Sequence, residues 1–117
     1  MPLPLTPHAN LWVETGEQVV LSMWRVQLLE AIEATGSISA AAERMQVQYR
    51  RAWERLEEME QGLGVPLVER HAGGPGGGGT RLTEAGRQYV ARFNAFAQGV
   101  EALIAHQFEQ AFAAHPE

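Results

Sequence analysis

The chain has 117 residues, enough for one domain with one hydrophobic core. Hydrophobic residues make up 45% and charged residues 20%, which excludes an intrinsically disordered chain, and the absence of cysteine excludes a disulfide framework, a thiolate nucleophile and a cysteine metal site. The net charge of -5 argues against indiscriminate nucleic-acid binding, but all nine basic residues are arginine and eight of them lie between Arg44 and Arg92. A nucleic-acid face would therefore be local. No apolar run is long enough to span a bilayer, and the start MPLPLTPH lacks the basic-then-apolar pattern of a signal peptide, so the expectation is a cytoplasmic protein with no membrane contact.

Residues 1–9 contain three prolines and read as a loose lead-in. Residues 10–20 alternate moderately around Thr15-Gly16 and read as a short β-hairpin, or one strand and a turn. Trp12 is the large apolar residue there and suits a packing or dimer contact. Ser22 then stands where a helix cap is needed for residues 23–34, whose inner face is Val26, Leu28, Leu29 and Ile32 and whose end is marked by Gly36.

Next comes TGSISAAAERMQVQYRRAWERLEEMEQ. Ser37 can cap a short helix over 38–45, and Ala40, Ala41 and Ala42 are small enough to let a second helix approach closely. Gln46 and Val47 make the turn into a longer helix over 48–61. On that helix Ala52, Leu56, Met59 and Leu63 form one stripe, flanked by Tyr49 and Trp53. The opposite face near its start carries Val47, Arg50, Arg51 and Glu54. This is the pattern of a helix-turn-helix whose second helix presents arginines to the DNA major groove, where Arg bonds guanine or phosphate. The plain alternative is an amphipathic helix with a solvated polar face, and the run Glu57, Glu58 and Glu60 is read that way.

Pro66 ends the second helix. Residues 67–69 read as a strand and Arg81-Leu82 as its antiparallel return, with the run Gly73-Gly74-Pro75-Gly76-Gly77-Gly78-Gly79 between them. Two strands and a loop directly after such a helix make a wing. Arg70, His71, Thr80 and Arg81 fall at its base or edge, and Gly74, Gly76, Gly77 and Gly78 offer N–H groups to phosphate with no side chain in the way. A phosphate-cradling nucleotide loop is rejected, because the lysine of a Walker motif and the helix straight after a dinucleotide fingerprint are both missing.

Thr83 can cap a last helix over 84–114, roughly 45 Å long at 1.5 Å per residue. Tyr89, Phe93, Phe96, Val100, Leu103, Ile104 and Phe108 recur along it, at first in steps of four and three, the seam of a coiled coil. So many apolar residues on one long helix point to a homodimer. The four histidines show no metal-ligand spacing, and no serine elbow or HExxH pattern appears, so neither catalysis nor a cofactor is expected.

The segments TGSISAAAERM, YRRAWERLEEM and PLVERHAGGPGGGGTRLTEAG resemble the N-terminal DNA-binding domain of the ModE family of molybdate-responsive transcription regulators, a relative of the LysR-type winged helix. The resemblance implies a mainly α fold with a small β wing: a winged helix-turn-helix over 10–83 and a dimerisation helix and tail over 84–117. It implies a homodimer that reads an inverted repeat in double-stranded DNA through the helix 48–61 and the wing, with Ser37, Ser39, Gln48, Tyr49, Arg50, Arg51, Glu54 and Arg55 among the contacting residues. Gln48 departs from the family's usual serine and is a poorer cap. Molybdate sensing in the family needs a further C-terminal region that does not appear after the long helix, so molybdate binding is not transferred. That leaves a separate sensor protein or constitutive DNA binding. A winged-helix module for protein–protein interaction is the alternative function, and the acidic net charge favours it.

Overall fold

The computed structural model describes residues 3–74 and 77–112. Strand β1 (Trp12–Thr15) and strand β2 (Gln18–Ser22) form an antiparallel hairpin that turns through Gly16 at φ 62°, so the hairpin option for this segment holds. Ser22 ends β2 and also caps helix α1 (Met23–Thr35), its hydroxyl accepting from the Arg25 N–H at 3.1 Å. Gly36, at φ 85°, closes α1 in the left-handed conformation that costs a glycine nothing.

Helix α2 (Ile38–Arg44) starts at Ser37, whose side chain accepts from the Ala40 N–H at 2.9 Å. The turn that follows runs through Gln46, a non-glycine residue at φ 59°. Helix α3 (Tyr49–Leu63) then begins without a side-chain cap from Gln48. Ala41, Ala42 and Ala52 are buried where α2 and α3 cross, and Leu56 and Met59 continue the inner face of α3 into the core. Val26, Leu28, Leu29 and Ile32 of α1 are buried on the other side of that core.

Strands β3 (Val68–Gly74) and β4 (Gly77–Leu82) form the wing. Both are longer than the sequence suggested. The register pairs Val68 with Leu82, His71 with Gly79 and Gly74 with Gly77, so backbone pairing runs on into the glycine tract. Glycine carries no side-chain signal of strand, but its N–H and C=O pair like any other residue's. Pro75 and Gly76 lie outside the described residues. Leu67 precedes the strand and is fully buried.

Thr83 starts helix α4 (Glu84–Phe112), its hydroxyl accepting from the Gly86 N–H at 3.0 Å and donating to the Pro66 carbonyl at 2.8 Å. The helix end expected at 114 lies outside the described residues. The radius of gyration is 18.3 Å, against about 13 Å for a compact chain of this length. The difference reflects α4, which runs well past the body that covers its first half.

Candidate nucleic-acid interface

Arg50, Arg51 and Glu54 are exposed on the first turns of α3, on the side away from buried Ala52 and Leu56. The Arg50 side chain is 87% exposed and meets Glu54, 50% exposed, at 3.7 Å one turn on. A pair this open contributes about 0.3–0.5 kcal/mol to folding. Arg44 at the end of α2, Arg51 and Arg70 on β3 make no ion pair among the described residues. Tyr49 and Trp53 are both partly exposed beside them on α3. Trp53, Glu57 and Arg70 line one groove of about 280 Å³ between α3 and the wing.

Other predicted site residues are placed differently. Arg55 is held by Glu58, Nη1 to Oε2 at 2.6 Å, and Glu58 also accepts from Arg25 Nη2 at 2.9 Å. Arg25 is only 13% exposed, so this three-residue cluster ties α1 to α3 from within, and Arg55 belongs to the scaffold. Thr80 is 8% exposed, and its N–H donates to the Gly36 carbonyl at 2.8 Å, so it docks the wing on the end of α1 and faces inward. Arg81 pairs with Glu69 across the wing at 3.1 Å. His71 stands over Gly79 on the exposed side. Ser37 is spent on its cap, while Ser39 and Gln48 are exposed.

Two acids read as a solvated run do structural work. Glu58 holds both arginines, and Glu60 accepts from the Leu67 and Val68 N–H groups at 2.8 and 3.3 Å. Glu60 thereby fixes the base of the wing against α3. Glu33 does the same from α1, accepting from the Leu82 N–H at 2.9 Å. A carboxylate in a polar run with a partner seven or more residues away leaves no local mark in the sequence.

The predicted dimer row on α4 divides in two. Phe93 is buried at 2% exposure in the core of its own chain, where it meets Phe96 edge-to-face at 6.1 Å, so it is not on an open seam. Tyr89 packs against the same core. Phe96 and Leu103 are open at 46% and 56%, as is Trp12 at 51%. Val100 and Ile104 line a cavity of about 300 Å³ with Pro7, His8 and Leu11, and Phe108 faces Leu5 and Pro7. The lead-in thus runs along α4 and half-covers its outer part.

Two strands behind a three-helix core, with cations on the start of the third helix, define a winged helix-turn-helix. The chain belongs to the bacterial regulatory helix-turn-helix family of the lysR type, whose pattern matches residues 23–87. It is 44% identical over 87 residues to the molybdenum transport protein ModE of Azotobacter vinelandii, covering 74% of this chain and 32% of that one. It is 40% identical over 74 residues to the DNA-binding transcriptional dual regulator ModE of Escherichia coli, covering 63% of this chain and 28% of that one. The chain spans about three tenths of the length of these curated relatives. Among solved structures, the DNA-binding domain of CbnR, crystallised with DNA, matches with a TM-score of 0.59 over 80% of this chain and 100% of that one; at 22% identity this is a likeness of fold. Among the described residues no helix is long and apolar enough to cross a membrane.

Proposed function

We propose that this chain is the DNA-binding unit of a transcription regulator that acts as a homodimer on an inverted repeat. The observation that carries this reading is the pair Arg50 and Arg51, exposed at the start of α3, with Arg50 in only a loose ion pair and Arg51 in none among the described residues. The lysR-type family and the DNA-binding ModE relative support the same reading. In it, α3 lies in the major groove with Arg50, Arg51 and Glu54 toward base edges and the backbone, and Gln48, Tyr49, Ser39 and Arg44 flank it. The wing lies alongside, with Arg70, His71 and Arg81 near phosphates and glycine N–H groups available to them. Two copies join through the open residues of α4, Phe96 and Leu103, with Trp12 beside them. The site of action is the bacterial cytoplasm. The names of the ModE relatives point to molybdenum metabolism as the regulated process, with sensing left to other protein segments or partners.

The test is selection of random duplex DNA by the purified protein near physiological salt, followed by sequencing. An inverted repeat is expected, with a half-site spacing that gives the distance between the two recognition helices. Retention with no shared motif, lost as salt rises, would mean backbone contact alone and would return the acidic surface to the role of a protein-binding module.

A further inference from the structure

We infer that Glu54 is a specificity residue that demands cytosine at one position of each half-site; this rests on the DNA-binding reading above. Glu54 is the first acidic residue of α3, in its second turn, on the outward line opposite Ala52 and Leu56. Among the described residues it caps nothing, holds no loop and has one partner, Arg50 at 3.7 Å, and both side chains are open, at 50% and 87%. Three other acids near this interface have structural partners, Glu58 with Arg25 and Arg55, Glu60 with the Leu67 and Val68 amides and Glu69 with Arg81, while Glu57 lies farther along α3, in the groove beside the wing.

A carboxylate in this place is costly on general electrostatic grounds. Duplex DNA carries one negative charge per about 1.7 Å of its axis, so an acid on the groove-facing line is repelled unless it finds a donor. The major groove offers donors only as the exocyclic amino groups of cytosine and adenine. On adenine the amino group sits beside a ring-nitrogen acceptor, which repels the second carboxylate oxygen. On cytosine the neighbouring edge is a C–H, so the carboxylate accepts without that penalty. Cytosine is therefore the base that Glu54 tolerates best. Arg50, one turn earlier, orients the carboxylate and matches guanine or phosphate nearby, so the pair presents an acceptor and a donor to a G·C-containing step.

The experiment repeats the duplex selection with wild type, Glu54→Gln and Glu54→Ala, after circular dichroism confirms equal helix content. In the wild-type motif, one column per half-site should be cytosine by about tenfold over other bases. Glu54→Gln should turn that column toward adenine, because an amide can both accept from the amino group and donate to the ring nitrogen. Glu54→Ala should leave it without preference, keep the remaining columns, and raise affinity for random duplex several-fold. The same column in all three proteins, or changes only in other columns, overturns the assignment of Glu54 while leaving the DNA-binding reading intact. A wild type that selects no motif overturns both.

Discussion

Replacing Glu60 with alanine should lower stability by about 2 kcal/mol, because two backbone amides lose their acceptor. The Glu60 Oε2 accepts from the Leu67 N–H at 2.8 Å and the Val68 N–H at 3.3 Å. Leu67 is fully buried, so its amide has no water to turn to. A buried donor left unmet costs about 1–3 kcal/mol. Val68 is half-buried and its bond is long, so it adds little. Glu60 itself is partly open to solvent, which discounts the contribution of its charge. Glu60→Gln keeps an acceptor oxygen at the same reach and should cost about 1 kcal/mol or less. Urea denaturation of the three proteins at one fixed concentration measures this, since any dimer couples association to unfolding. The midpoint should fall while the slope stays constant. An alanine variant within about 0.5 kcal/mol of wild type, or a glutamine variant worse than alanine, would refute the role assigned to the carboxylate.

Gly86→Ala should destabilise by about 1–3 kcal/mol, although alanine is the better helix former, because its Cβ would run into the Leu67 carbonyl oxygen, a backbone atom that cannot swing aside; a thermal melt at or above wild type would show that α4 does not approach Leu67 so closely. Arg50→Ala and Arg51→Ala should each leave stability within about 0.5 kcal/mol and weaken binding to the selected operator, by about 1–3 kcal/mol where a base contact is lost, with a salt slope smaller by about one where the contact is to phosphate. Titrations that match wild type in both variants would move the binding surface away from α3. Leu103→Glu places a charge on an open apolar position of α4, and light scattering should shift from dimer toward monomer mass with helix content unchanged. An unshifted dimer would place the interface elsewhere.

The parts of this fold that could be read ahead are those whose cause is local. Ser22, Ser37 and Thr83 cap helices because a side-chain oxygen needs only the amide three residues on, and all three make that bond. Gly36 is legible for the same reason, and the inner face of α1 follows from period alone. What resisted reading has its cause far along the chain. The partner of Glu58 is Arg25, 33 residues away, so a structural acid looked like a solvated one. Phe93 belongs to the same four-and-three row as Phe96, and periodicity places both on one side of α4 without saying which is covered by the chain's own core. The prolines of the lead-in give no sign that Leu5 and Pro7 line one open pocket with Phe108 of α4, because that placement has no local cause.

The net charge of -5 opposes DNA binding by the surface as a whole, and the balance changes once the arginines are sorted by what they touch. Arg25 and Arg55 are taken by Glu58. Arg81 is shared with Glu69, and Arg87 lies between Glu33 and Glu84. Arg92 lies over the Tyr89 ring on α4. Apart from Arg92, the cations left without an acidic partner among the described residues are Arg44, Arg51 and Arg70, with Arg50 in only a loose pair. All four fall between the end of α2 and the wing. Many of the acids that set the overall sign are internal to these pairs or lie on other elements, such as Glu14 and Glu17 on the first hairpin and Glu101 and Glu109 on α4, and salt screens exposed charges more than about 8 Å apart. A local cationic face on an acidic body attracts the duplex in one orientation and repels it in the rest. In the proposed DNA-binding role such a surface gains little from indiscriminate phosphate contact, so that reading expects occupancy of DNA to come from base contacts and from two copies acting together.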